Sequence, residues 1–196
     1  MGTTRDRIIV ATNELFRRHG YNGTTLSQIS KASGATIGSI YHFFPGGKEA
    51  LAVAVVETTG SVYLELFLSI VAEAPDPAGA FADFFAGAAA VLEESDFIDP
   101  CPIGTVAREA ASTSEPLRLA ARSAFDSWID AAGDHLRDAG VPPEEAAELA
   151  AVFVSTVEGM FVLSRTKRTT EPLMAAGRVL TKLVERAIAE PAHAGS

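Results

Sequence analysis

The sequence predicts an all-α fold: a small three-helix head at the N-terminus and a larger helical body behind it, about nine helices in all. Three observations predict it. Apolar residues recur at helical spacing along the chain, and the strict alternation of a half-buried strand is absent. Glycines and prolines fall where helices would stop or start, as at Gly20, Gly34, Pro45-Gly46-Gly47, Gly140 and Pro142-Pro143. With 47% hydrophobic and 21% charged residues among 196, the chain can bury the core of one large domain or two small ones.

The elements follow in order. Thr3 or Thr4 can cap a first helix with Ile8, Leu15 and Phe16 inside, ended by Gly20. Thr25-Leu26-Ser27-Gln28 is a capping box that opens a second helix, packed through Leu26 and Ile29 and stopped by Gly34. Thr36 can cap a third, which buries Ile40 and Phe44 before Pro45-Gly46-Gly47 breaks the chain. A long fourth helix is expected from Lys48 to about Val71, with Leu51, Val55, Val62, Leu66 and Ile70 on its inner face and Gly60 as a soft point. Asp76-Pro77 should open a fifth, with proline in the first helical position. A loop from Asp96 to Pro102 precedes a short piece from Ile103 to Ala110. Further helices are expected from Ser114-Glu115-Pro116 to Gly140, from Pro142-Pro143 to about Ser164, and from Thr170-Glu171-Pro172 to about Ile188. The expected domains are a head at 1–48, a body at 49–189 and a disordered tail at 190–196.

Charge divides the same way. Residues 1–48 carry six basic and two acidic residues, a net +4, and the remainder carries ten basic and 23 acidic, a net −13. A basic head on an acidic body can dock on phosphates by one end only, although chance asymmetry of a solvated surface would look the same. A lone Cys101 excludes an internal disulfide framework and fits a reducing cytoplasm, and the N-terminus lacks a secretory pattern. The most apolar stretch, Ala146 to Leu163, is broken by Glu148, Ser155, Thr156 and Glu158, so a bundle-core helix is expected there in place of a membrane span.

Two short helices around a tight glycine-containing turn form a helix-turn-helix, which sets its second helix into the DNA major groove. Thr36, Ile37, Gly38 and Ser39 occupy the first turn of that helix. Gly38 permits close approach, the hydroxyls of Thr36 and Ser39 can bond bases, and the helix N-terminus offers N–H groups to phosphate. Tyr41 and His42 lie one turn on. Thr25 and Lys48 complete the DNA-contacting set, with Lys48 a cation opposing the dipole of the fourth helix unless a phosphate lies nearby. The alternative for Tyr41, Phe43 and Phe44 is an aromatic core stripe.

The segment from Ile29 to Phe44 resembles the DNA-binding helices of the TetR/AcrR family. The resemblance rests on Ile29, Gly34, Gly38-Ser39-Ile40, Tyr41-His42-Phe43-Phe44 and Lys48-Glu49-Ala50-Leu51, and upstream on Phe16, Gly20-Tyr21 and Thr24-Thr25. Two further features resemble the LmrA/YxaF-like branch: Phe44-Pro45-Gly46-Gly47-Lys48, one residue longer than the usual turn, and Cys101-Pro102-Ile103-Gly104-Thr105-Val106-Ala107. Ser30 and Ser33 depart from the family's alanines and should loosen the helix packing slightly. Ile37 stands where a Lys or Arg is frequent, which suggests an apolar contact with a thymine methyl.

The resemblance implies an apolar ligand cavity in helices four to eight and a homodimer through helices eight and nine. Phe67, Phe84, Phe85, Cys101, Phe125, Trp128, Phe153 and Met160 are the candidate ligand residues, with core filler as the alternative for each. Phe153, Val157, Phe161, Ala176, Leu180, Leu183 and Val184 are the candidate dimer residues, with packing inside one monomer as the alternative. A homodimer would present two reading helices to a pseudo-palindromic double-stranded operator. The expected function is a ligand-responsive transcriptional regulator, a repressor with activation as the alternative. The histidines at 19, 42, 135 and 193 are scattered, and no metal-ligand spacing, phosphate loop or nucleophile elbow occurs. No cofactor, metal or membrane partner is expected. A helical interaction protein without DNA binding, or an enzyme, are the competing readings.

Overall fold

Thr3 opens the first helix, α1 (Thr4–His19), with a capping box: its hydroxyl accepts the Asp6 N–H and the Asp6 carboxylate accepts the Thr3 N–H. Gly20 ends α1 at φ 76, ψ 171, a conformation open in practice only to glycine. Thr25 caps α2 (Leu26–Ser33), and Gly34 ends it in the left-handed region at φ 67. Thr36 caps α3 (Ile37–Phe43). The remaining helices are α4 (Gly47–Glu73), α5 (Gly79–Glu94), α6 (Pro102–Ala110), α7 (Glu115–Asp138), α8 (Pro143–Lys167) and α9 (Glu171–Ala189). The computed structural model describes residues 2–98 and 101–189, and among these there are nine helices and no strand. The expected tail at 190–196, with His193, lies outside the described residues, as do Asp99 and Pro100 of the expected loop.

Helix starts agree with the sequence to within a residue or two, α5 showing the largest shift. The Asp76 carboxylate accepts the Gly79 N–H at 2.8 Å, but the helix begins at Gly79 with Ala78 as its N-cap, and Pro77 stays in the preceding turn.

The described residues form two compact units, 2–62 with 101–124 and 63–98 with 125–189. The division falls inside α4 and α7, whereas the sequence suggested a boundary at residue 48. The cause is long-range packing of α6 and the start of α7. α1 packs on α6 as well as on α2 and α3, the Glu109 carboxylate accepts the Asn22 N–H at 2.7 Å, and the Ser114 hydroxyl donates to Glu49 at 2.6 Å. Ile8, Phe16, Ile29, Ile40, Leu51, Ile103 and Leu117 are fully buried in this unit. Gly60 has a packing role here: a Cβ on it would lie 3.0 Å from the Cβ of Ala124 on α7.

In the second unit α5 packs on α8 and α9, and α8 on α9. The α5–α9 contact is so close that a Cβ on Gly177 would lie 2.9 Å from the Cβ of Phe85. Leu92, Leu136, Ala146 and Leu173 are buried in this core. The inner face expected for α4 holds only in part. Leu51 and Val55 are buried, but Val62 and Leu66 are exposed and Phe67 turns inward instead. Phe67 packs against the rings of Phe81, Phe84 and Phe153, so beyond residue 62 the buried side of α4 is set by different neighbours.

Candidate functional site

The α2–α3 segment is built almost wholly from short-range bonds. The Thr25 hydroxyl accepts the Gln28 N–H, and Gln28 Oε1 accepts both the Thr25 N–H at 2.7 Å and the Thr25 hydroxyl at 2.9 Å. In the turn, the Ser30 hydroxyl donates to the Ala35 carbonyl at 2.6 Å and Ser33 Oγ accepts the Ala35 N–H at 3.2 Å. The two serines, expected only to loosen the helix packing, therefore fasten the turn through the Ala35 backbone. The Thr36 hydroxyl accepts the Ser39 N–H at 3.0 Å and shares a further bond with the Ser39 hydroxyl at 2.9 Å.

These bonds sort the sequence-predicted contacts. Thr25, Thr36 and Ser39 lie at the surface, but their hydroxyls are engaged in capping. Ile37 is 47% exposed and Tyr41 49%, and Gly38, His42 and Phe43 are also exposed. Ile40 and Phe44 alone are buried, so the aromatic stripe is core only at Phe44. Tyr41 lies over the next turn, where a Cβ on Gly47 would be 3.2 Å from its Cε1. The His42 and Phe43 rings stack edge to face at 5.1 Å. The face offered by α3 is therefore apolar at Ile37, open at Gly38 and polar at Tyr41 and His42.

Lys48 has partners within the chain. Its ammonium donates to the carbonyls of Tyr21 and Thr24, both at 3.1 Å, and lies 4.3 Å from the centre of the Tyr21 ring. The carbonyl oxygens and the ring face stabilise this cation beside the N-terminal end of α4 without neutralising it. Burial, and then the Glu49 charge, push the Tyr21 phenol above its ordinary range, so it stays protonated. Of the other cations in the head, Arg17 and Arg18 pair with Glu14, and Arg5 stacks over Phe44 at 5.5 Å.

The candidate ligand residues separate into several places. Phe67, Phe84, Phe85 and Phe153 join Phe81 in one aromatic cluster with ring centres 5.0–6.3 Å apart. His135 enters the cluster from α7, 5.9 Å from Phe81, with Nε2 2.9 Å from the Pro77 carbonyl oxygen. The sequence reading missed His135, whose partners are far away along the chain. Phe125 and Trp128 form a second, half-buried pair at 5.5 Å. Cys101 is buried in the other unit. Met160 packs against the core that holds the aromatic cluster and also lines an open groove between α8 and α9.

That groove, about 580 Å3, is walled by Val152, Leu163, Ala176, Val179 and Leu183, with Lys167 and Glu171 at one end. Val152, Leu163, Val179 and Leu183 are 39–58% exposed. The candidate dimer residues divide accordingly. Ala176 and Leu183 line the groove, and Leu180 touches it while almost wholly buried. Phe153, Val157 and Val184 are buried within the chain, and Phe161 packs against the same core while staying half-exposed. α4 and α8 are both long and apolar enough to cross a membrane, and only 28% of the apolar window of α8 is buried. α8 is a core helix on one face, through Ala146, Ala150, Phe153, Val154 and Val157, and its other face is apolar and exposed at Val152, Val162 and Leu163. Among the described residues, no three His, Cys, Asp or Glu side chains gather as a metal-binding set.

Known proteins align with both halves. A model of bacterial regulatory proteins of the tetR family matches residues 8–55, and a model of the C-terminal domain of LmrA/YxaF-like transcriptional regulators matches 77–179. The chain is 36% identical over 185 residues to the helix-turn-helix transcriptional regulator YxaF of Bacillus subtilis (strain 168), covering 94% of this chain and 97% of that protein. It is 33% identical to LmrA of the same organism, covering 94% and 98%. A TetR transcriptional regulator from Legionella pneumophila has the same fold, with a TM-score of 0.83 at 23% identity over 93% of this chain and 98% of that one.

Proposed function

The chain belongs to the TetR family of transcriptional regulators, in its LmrA/YxaF-like branch, and from that premise we propose that it is a homodimeric repressor released from its operator by a small apolar or aromatic ligand. It binds DNA through a helix-turn-helix, and α3 is the reading helix. Ile37, Gly38, Tyr41 and His42 face the bases and phosphates, while Thr25, Thr36 and Ser39 act first as caps.

The observation that carries the dimer is the uncovered α8–α9 face. An apolar groove flanked by exposed Val152, Leu163, Val179 and Leu183 is costly in water, and a second copy covers it most economically. Lys167 and Glu171 bring both charge signs to its edge, which an isologous pairing can match. Two reading helices related by a two-fold axis then meet two half-sites of a pseudo-palindrome.

The aromatic cluster around Phe67, Phe84 and Phe153 is the proposed ligand site, with Trp128 and Phe125 at its half-buried side. A ligand that wedges these rings apart shifts α4, which contributes residues to both units. Separation of the two heads in the dimer then changes, and operator and ligand disfavour each other by the same factor. A hundredfold loss of operator affinity requires about 2.7 kcal/mol of coupling. Acting on genomic DNA, such a protein works in the cytoplasm. Operator binding titrated against a panel of apolar and aromatic compounds tests the reading. A compound that binds tightly and leaves operator affinity unchanged counts against it.

A further inference from the structure

We infer that Arg168 is a positioning residue for the dimer: it latches the end of α8 to the end of α5 and so holds the α8–α9 turn in the shape that a second copy meets. This role rests on the dimer proposed for the α8–α9 face. Among the described residues, the non-glycine residues with positive φ are Asp96 at 55, Phe97 at 59 and Arg168 at 51. All three belong to one contact. The Arg168 guanidinium pairs with the Asp96 carboxylate, donates to the Asp96 carbonyl at 3.4 Å and lies 5.4 Å from the centre of the Phe97 ring. Left-handed backbone disfavours a residue with a Cβ, and glycine is the usual residue where a helix closes this way. An exposed ion pair by itself stabilises little. Three such residues gathered around one guanidinium therefore point to a role other than fold stability.

The latch joins two helix ends. At α5 the Phe97 N–H donates to the Leu92 carbonyl at 2.9 Å, and at α8 the Thr169 N–H donates to the Ser164 carbonyl at 3.1 Å, so both helices close through the same wide turn. Phe97 packs against the core of the second unit, which gives the guanidinium a fixed surface to lie on. On either side of Arg168 the chain is in the groove: Lys167, Thr169, Glu171 and Pro172 wall its end, and the Thr169 hydroxyl accepts the Glu171 N–H at 3.3 Å. Asp96 and Phe97 are not among the residues that wall it. The shape of that end is thus held from α5, by residues outside the surface a second copy covers. A turn ordered in advance docks at a lower entropic cost than one ordered on contact.

Glycine tests the latch, because it suits left-handed backbone while removing the side chain. Fluorescence-detected sedimentation of the full chain over a dilution series gives the dimer dissociation constant, and far-UV circular dichroism reports the fold. For Arg168→Gly and for Asp96→Gly we expect wild-type helicity and a dimer weakened about tenfold. The double variant should be no weaker than either single one, since both remove the same contact. Asp96 decides the matter, because it stands outside the groove. A loss in Arg168→Gly alone overturns the proposal, since that marks a direct contact between Arg168 and the partner copy. Unchanged dissociation constants in both single variants overturn it too, as do two losses that add in the double variant. Arg168→Asn, whose short polar side chain tolerates left-handed backbone, serves if Arg168→Gly fails to fold. If the wild-type protein is a monomer across the whole series, the dimer premise fails first and the proposal falls with it.

Discussion

Alanine at Gly20 and at Gly34 separates two ways in which a glycine can matter. Both have positive φ, 76 and 67. A Cβ on Gly34 meets nothing within 4 Å, so Gly34→Ala costs only the left-handed backbone, about 1 kcal/mol. A Cβ on Gly20 would lie 2.2 Å from Glu109 Oε1. The carboxylate must leave, and its 2.7 Å bond with the Asn22 N–H is lost. A charge-assisted bond contributes about 1.5–3 kcal/mol, and the glycine-only backbone conformation of Gly20 adds about 1–3, so Gly20→Ala should cost roughly 4 kcal/mol. Urea unfolding followed by far-UV circular dichroism measures both. In a Glu109→Ala background the steric part is already gone, and Gly20→Ala should cost only about 2 kcal/mol, a coupling of about 2 kcal/mol between the sites. Equal costs for Gly20→Ala in the two backgrounds would refute the Glu109 contact as the cause.

Other perturbations address the surfaces and a titrating group. Ile37→Ala should weaken binding by about fivefold, some 1 kcal/mol, to duplexes with a thymine at the contacted position and leave thymine-free variants unchanged. A uniform loss across duplexes would remove the methyl contact. Leu183→Arg places a charge on the α8–α9 face, so light scattering should find a monomer that retains its helicity and loses operator binding; a persistent dimer would place the interface elsewhere. Hydrogen bonds from Thr3, its hydroxyl first and then its backbone N–H, hold the Asp6 carboxyl below the ordinary carboxylate range. The contribution to α1 is therefore complete above the ordinary carboxylate pKa and is lost as pH falls through the lowered folded value. NMR titration of Asp6 should give a midpoint below that of an unstructured aspartate, returning upward in Thr3→Ala.

Legibility in the sequence followed distance along the chain. Capping boxes, glycine stops and proline starts act across three or four residues, and so Thr3, Thr25, Thr36, Gly20 and Gly34 could all be placed before any coordinates. The same locality explains why Ile37 and Tyr41 could be assigned to an exposed face of α3. Glu109 was invisible because its partner lies 87 residues away, and the intrachain partners of Lys48 were invisible because they are backbone carbonyls, which leave no mark in side-chain identity. Ser30 and Ser33 looked like weak alanine substitutes for a related reason: their value is in the Ala35 backbone they hold. On α9, helical periodicity showed one broad apolar stripe, but it could not divide Leu180 and Val184, turned to the core, from Val179 and Leu183, turned outward. That division depends on how closely α5 approaches at Gly177.

Selection of duplexes from a random-sequence pool by the purified protein tests the central claim most directly. The account predicts recovery of a sequence with two half-sites related by a pseudo-dyad, bound as a dimer about a thousandfold or more tighter than unrelated DNA, with affinity falling as salt rises. Recovery of no common sequence, or of one bound no better than unrelated DNA, would contradict it.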